Sequence, residues 1–265
     1  MAELEKALNF SFAFYRDERV QEILAQDLGY QAYNLLRQLA GPQRPNDLFI
    51  VGDPNQRIYG KQASLGLSGI DIRGRSKKLR INYRTTEEIR KAAVSALQAT
   101  TTDDLNEGSD DQKGYHSLMH GPSPRNVKSK TFEDEIKFIS QYLIESKNDG
   151  IELSDICLVS RTRDYCDQII AELTASGIQC IVIESDSKSA DKGVVKVATL
   201  HRVKGLEFDR VLIVGLGTGK FPAPVPTGFD AVAKGRWEAR ERALLYVAMT
   251  RARRELILCH RLSSP

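Results

Sequence analysis

Two hydrophobic periods alternate along this chain, and their alternation predicts an α/β protein. Residues 28–40, "LGYQAYNLLRQLA", place apolar side chains at helical spacing and stop at Gly41-Pro42. "DLFIVGD" (47–53) is a short apolar run closed by Gly-Asp and predicts a buried strand. "KKLRINYR" predicts another strand, and "TTEEIRKAAVSALQ" opens with the Thr and Glu of a helix start. Residues 101–125 are polar, acidic and rich in Gly, Ser and Pro, which predicts a linker or mobile loop. The pattern then becomes regular: strand "KSKTF", helix "EDEIKFISQYLIESK", strand "DICLVS", helix "DYCDQIIAELTAS" and strand "IQCIVIE". Strands "GVVKVATL" and "DRVLIVGL", helix "GRWEARERALLYVAMTRA" and strand "RELILCH" complete it. Strands alternating with helices predict a parallel sheet covered on both faces.

Composition changes this picture little. The 265 residues are 41% hydrophobic and 28% charged, an ordinary globular balance for one large or two modest domains. No apolar run approaches the roughly 20 residues of a membrane span, and residues 1–21 make a poor signal peptide. The expectation is a cytoplasmic protein with no membrane partner. Cys157, Cys166, Cys180 and Cys259 fit no zinc or redox spacing and predict reduced thiols. His116 and His120 stand four apart, but in loop-like sequence they predict no metal site. The net charge of +3 is small, yet it is unevenly spread. Arg73 to Lys91 and Lys234 to Arg254 are two basic clusters, which suit either a polyanion groove or solvated helix faces.

Candidate chemistry lies in four stretches: "VGDPNQRIYG" (51–60), "LRINYRTTEEI" (79–89), "VATLHRVKGLEFDRV" (197–211) and "LLYVAMTRARRELIL" (244–258). Gln56 would stand at the carboxyl edge of a parallel sheet, where an amide bonds a phosphate or water, or else closes a turn. Tyr83 beside Arg84 suits a base and a phosphate together, or a packed ring beside a surface cation. His201, Arg202 and Lys204 follow a buried strand that breaks at Thr199, and Gly205 permits a tight turn. Glu207 is an acceptor suited to ribose hydroxyls, and a histidine at 201 would ordinarily be structural.

In this order the four stretches resemble motifs III to VI of superfamily 1 DNA helicases of the UvrD/Rep/PcrA group. The resemblance runs from about residue 25 to the C-terminus. It implies a RecA-like three-layer α/β/α fold with a mostly parallel sheet. It also implies ATP with Mg as cofactors, single-stranded DNA as partner, and ATP hydrolysis driving 3'-5' translocation. Gln56, Arg84 and Arg251 are implied at the terminal phosphate, with Arg251 an arginine finger. Tyr83, Gly205 and Glu207 are implied at the nucleotide; Tyr59, Thr199, His201 and Arg202 at the nucleic acid.

Two parts of that group's machinery are missing. A phosphate loop needs G-x-x-x-x-G-K-[ST]; "GLGTGKF" has Val214 where the first Gly belongs and Phe221 where the hydroxyl belongs. Gly215, Gly219, Phe221 and Pro222 instead resemble the group's connection after motif V. Motif II aligns with Ile23 to Asp27, so that Ile23 and Leu24 replace the magnesium-binding Asp and the catalytic Glu. Residues 1–24 therefore read as outside the group's register, a shortened or joined segment. Only "ESDSKSADKG" separates "CIVI" from "VVKVAT", where relatives carry an insertion. The expected organisation is a remnant of a first motor domain over 1–70 and a second motor domain over 71–265. The expected function is the C-terminal motor portion of an ATP-dependent DNA helicase, not hydrolysing ATP alone; the alternative is a non-catalytic nucleic-acid-binding or partner-binding module. The rest of a first motor domain, or a partner protein, would complete it.

Overall fold

The computed structural model describes residues 22–24, 28–44, 47–59, 65–72, 74–97, 102–103, 109–110, 114–184, 192–217, 219 and 221–262. In chain order the elements are β1 (Glu22–Leu24), α1 (Tyr30–Ala40), β2 (Phe49–Val51), β3 (Ile81–Thr86), α2 (Glu87–Ala96), β4 (Thr102–Asp103), β5 (Ser109–Asp110) and β6 (His116–Met119). There follow β7 (Arg125–Ser129), α3 (Phe132–Asn148), β8 (Ile156–Ser160), α4 (Arg163–Ala175), β9 (Cys180–Val182), β10 (Val195–Thr199), β11 (Phe208–Leu216), α5 (Ala231–Met249) and β12 (Ala252–Arg261). The chain divides into two compact units, residues 1–79 with 101–113, and residues 80–100 with 114–265.

In the first unit β1 and β2 pair in parallel, with Ile23 opposite Ile50. Tyr33 of α1 is fully buried with Leu65 and Ile70. Gly41 ends α1 at φ 75°, a left-handed value that glycine reaches without a Cβ clash.

The second unit is built on a six-stranded, all-parallel sheet in the order β7-β12-β11-β8-β10-β9. Alternate strand residues feed two cores. Ile156, Leu158, Val195, Val197, Leu212, Val214, Ile257 and Cys259 pack with Ile139 and Leu143 of α3 and Ile169 and Leu173 of α4. The opposite parity, Cys157, Val159, Val211, Ile213 and Leu256, is equally buried, as are Leu244, Val247 and Ala248 of α5. Helix α5 packs on β11 and β12, and α2 packs on α5. This is the expected α/β/α arrangement. Each helix of the unit opens on a polar cap: Thr86, Thr131, Thr162 and Asp230 accept from the N–H three residues on. Such a cap contributes about 1 kcal/mol and explains why these helices start where they do.

Part of the segment expected to be a loop is ordered. His116–Met119 is strand β6, paired in parallel with β3, so His116 and His120 are not on one helix face. His120 instead lies 3.1 Å from Glu88. Glu87, at the start of α2, accepts from Nε and one terminal nitrogen of Arg90 and from the backbone N–H of Ser117. The Arg90 guanidinium first, and then that N–H, hold the Glu87 carboxyl down from 4.5 to about 2, against the opposing effect of burial. The stabilisation is therefore complete above about pH 4.5 and is lost as pH falls toward 2. Melting temperatures across that window should fall more steeply for the native chain than for Glu87→Gln; equal slopes would contradict the assignment.

The four cysteines are free thiols. Among the described residues no helix is long and apolar enough to cross a membrane.

Candidate functional site

The first unit contributes Gln56 and Tyr59. After β2 the chain enters a short 3-10 turn, Pro54–Gln56, capped by Asp53. One Asp53 oxygen accepts the Asn55 N–H at 2.9 Å and the other accepts the Gln56 side-chain amide at 3.0 Å. Gln56 thus closes the turn, and its amide orientation is set by Asp53. Tyr59 is 47% exposed while its neighbour Ile58 is fully buried, so the turn is anchored with the phenol outward. Ile23 and Leu24 lie in β1 and offer no side-chain oxygen. Among the described residues no group of three His, Cys, Asp or Glu side chains could hold a metal ion. A magnesium ion takes oxygen ligands, and Ile23 and Leu24 supply none at the motif II positions.

In the second unit the implied residues fall into two sets, at opposite ends of the sheet. The amino edge gathers Tyr83, Arg84, Glu207 and Arg251. Phe208 starts β11 opposite Ala252, which starts β12, and the Phe208 N–H donates to the Arg251 carbonyl at 3.0 Å. Glu207 and Arg251 are thereby neighbours. Arg84 reaches the same place from β3: its Nε lies 2.5 Å from a Glu207 oxygen, with both side chains about two-fifths exposed. Its backbone is held by Asn82, whose side-chain oxygen accepts the Arg84 N–H at 2.8 Å. Tyr83 is 70% exposed, an open ring and not a packed one. Gly205 turns the chain toward Glu207 at φ 85°. Arg251 differs from the expected projecting finger. It is 2% exposed, and its guanidinium donates to the Val247 carbonyl at 3.0 Å and to the Thr250 hydroxyl at 3.1 Å. A cation on the last carbonyls of α5 suits the negative end of the helix dipole.

The carboxyl edge gathers Thr199, His201 and Arg202, separated from the first set by the length of β8, about 17 Å for its five residues. The Thr199 hydroxyl accepts the Arg202 N–H at 3.3 Å, and Arg202 donates to the Glu184 carbonyl at 2.8 Å. Buried Leu200 and Val203 pin this turn to the sheet. Burial, aided by the nearby cations Arg161 and Arg240, lowers the His201 pKa. The imidazole is therefore neutral at pH 7, able to donate and to accept.

Two residues of this edge carry no motif assignment. Arg161, directly after β8, makes a two-pronged pair with Glu241 of α5, at 3.0 and 2.8 Å. Glu241 is 2% exposed and also accepts the Ala223 N–H at 2.9 Å. This carboxylate ties three segments together beside His201. The available signal was position: Arg161 follows a strand at the edge where parallel sheets bind ligands.

The glycine-rich stretch shapes a connection. Gly215 has φ 74° at a register shift of β11, and its N–H donates at 2.8 Å to Glu135, a fully buried carboxylate that also accepts the Tyr165 hydroxyl. A Cβ on Gly217 would lie 2.8 Å from the Arg261 carbonyl oxygen, so this turn closes against β12. Lys220 lies outside the described residues.

Comparison with known proteins bears on the whole chain. The model of the UvrD-like helicase C-terminal domain matches residues 77–188 and 184–262, and that of the UvrD/REP helicase N-terminal domain matches residues 5–65. The second match corrects one expectation, because residues 5–24 fall inside it. F-box DNA helicase protein 1 of Schizosaccharomyces pombe is 29% identical over 69% of this chain and 19% of its own length. A probable DNA helicase of Mycoplasma pneumoniae is 26% identical over 88% of this chain and 41% of its own. DNA helicase II of Escherichia coli K12 is 34% identical over 39% of this chain and 14% of its own. The chain thus spans well under half the length of each of these relatives. Because the C-terminal model covers most of the chain, the chain belongs to the UvrD-like helicase family.

Proposed function

We propose that this chain is the C-terminal motor portion of an ATP-dependent DNA helicase, with nucleotide engaged at the amino edge of its sheet and single-stranded DNA at the carboxyl edge. The observation that carries the reading is the convergence of Arg84, Glu207 and Arg251, far apart in sequence, on one edge. The exposed Tyr83 ring stacks on the adenine. Glu207 accepts ribose hydroxyls, and Arg84, released from Glu207, turns its planar guanidinium to phosphate oxygens. Arg251 leaves the Val247 carbonyl to stabilise charge developing on the terminal phosphate. Thr199, His201 and Arg202 hold the DNA backbone. The segment 200–207 joins the two sets, so a shift at Glu207 is transmitted to His201.

The chain does not hydrolyse ATP alone, since Ile23 and Leu24 stand where motif II places the magnesium-binding Asp and the catalytic Glu, and no G-x-x-x-x-G-K-[ST] loop occurs in its sequence. An ATPase assay with single-stranded DNA should show turnover no higher than the buffer blank. Magnesium-dependent turnover that disappears in Arg251→Ala would overturn this. The same missing donors favour a second reading, a non-catalytic nucleic-acid-binding module. Salt-dependent binding to single-stranded DNA that ATP leaves unchanged would select it, whereas weakening or strengthening by ATP that Arg84→Ala abolishes would select the motor.

A further inference from the structure

Beyond Thr199, His201 and Arg202, the carboxyl edge carries an aromatic pair that none of the four motifs contains. Phe229 lies just before α5 and is 43% exposed. Its ring meets Trp237 edge to face, with centroids 6.0 Å apart and planes at 82°. Trp237 is held in place by its indole N–H, which donates to the Ala223 carbonyl at 3.0 Å. Arg240 lies one turn on, its guanidinium 5.5 Å from the centre of the Trp237 ring. The Arg240 Nε is buried without a hydrogen-bond partner, and no carboxylate among the described residues pairs with this cation. The group is continuous with the His201 turn. Ala223 accepts from Trp237 and donates to Glu241, Glu241 holds Arg161, and both Arg161 and Arg240 act on His201.

We propose that Phe229, Trp237 and Arg240 form a base-stacking platform for single-stranded nucleic acid, extending the strand contacts of Thr199, His201 and Arg202. This rests on the carboxyl edge being the strand-binding edge. The exposed Phe229 ring accepts a base of any identity with the half-buried Trp237 ring behind it, and a cation lacking its own counter-ion supplies a contact for the intervening phosphate. The platform is also preset. Trp237 is already fixed by Ala223, so little side-chain freedom is lost on binding. An apolar protein segment would match the Phe229 ring but leave the Arg240 charge uncompensated, so charge complementarity favours the polyanion.

Trp237 is the single tryptophan of the chain, which makes the site its own reporter. The full chain is titrated with an oligothymidylate and with an abasic oligonucleotide of equal length, following tryptophan emission and the anisotropy of labelled DNA. Oligothymidylate should quench Trp237 and bind more tightly than the abasic strand. Phe229→Ala should weaken oligothymidylate binding by about tenfold, leave abasic binding unchanged, and be rescued by Phe229→Tyr. If native and Phe229→Ala chains bind oligothymidylate equally, with equal quenching, the platform is overturned while the strand-binding edge stands. Absence of salt-dependent binding to either oligonucleotide overturns both.

Discussion

Arg161→Ala is expected to destabilise the second unit by about 3–5 kcal/mol, the largest effect of any single substitution considered for this protein. Glu241 is 2% exposed and has two strong partners, the Arg161 guanidinium and the Ala223 N–H. Removing the arginine leaves a carboxylate in a low-dielectric environment with one backbone donor. Desolvation then outweighs what remains of its stabilisation, because an unpaired buried charge costs far more than the pair itself contributes. A double variant, Arg161→Ala with Glu241→Gln, removes the stranded charge and should recover much of the loss. Urea unfolding midpoints of the two variants check this. A change below about 1 kcal/mol in the single variant would mean that solvent screens Glu241 as it screens a surface pair. Since Arg161 and Glu241 flank His201, the same variant should also loosen strand binding at any salt concentration.

Gly215→Ala should cost about 2–5 kcal/mol. Two separate terms add. A left-handed φ of 74° costs a residue with a Cβ about 1–2 kcal/mol. The added methyl would also lie 2.7 Å from a Tyr165 ring carbon, a close approach that backbone or ring must relieve for about 1–3 kcal/mol. Tyr165 has little room to yield, being 1% exposed and bonded through its hydroxyl to buried Glu135. Gly219 supplies the control. It shares a positive φ of 75°, but a Cβ there meets nothing within 4 Å, so Gly219→Ala should cost only the backbone term. Equal destabilisation of both variants in thermal melts would remove the steric argument and leave φ alone.

These two sites show where pattern-reading stops. The glycines of "GLGTGKF" were legible as a connection and not as a phosphate loop, because the motif needs specific residues at 214 and 221. That Gly215 must be glycine is a different matter. It follows from Tyr165, fifty positions away by chain but in van der Waals contact across the α4 face of the sheet. Arg161 was visible only as a cation after a predicted strand, and Glu241 only as an acidic residue inside the second basic cluster. Eighty residues of chain separate them, and no periodicity links a residue after one strand to a residue within a later helix. The loop expected over 101–125 failed at His116–Met119 for a related reason. A four-residue strand, His-Ser-Leu-Met, carries little pattern, and its pairing with β3 supplies the backbone bonds that its composition does not announce.

By itself the sequence determined the element types, since 2.0 and 3.6 residue periods are local properties of strand and helix. It also determined the family resemblance and the lack of magnesium donors at 23 and 24, which are matters of residue identity. Only the tertiary structure decided where the motif residues stand. Thr199 and Glu207 belong to one stretch of sequence, yet they lie at opposite edges of the sheet. β10 ends at the carboxyl edge and β11 begins at the amino edge, and both run parallel to β8. Parallel pairing then sets Phe208 beside Ala252, and so joins Glu207 to Arg251 and to the Arg84 of a distant strand. The physical reason is that strand order and direction are set by burial of both sheet faces at once, a condition no single segment of the chain contains.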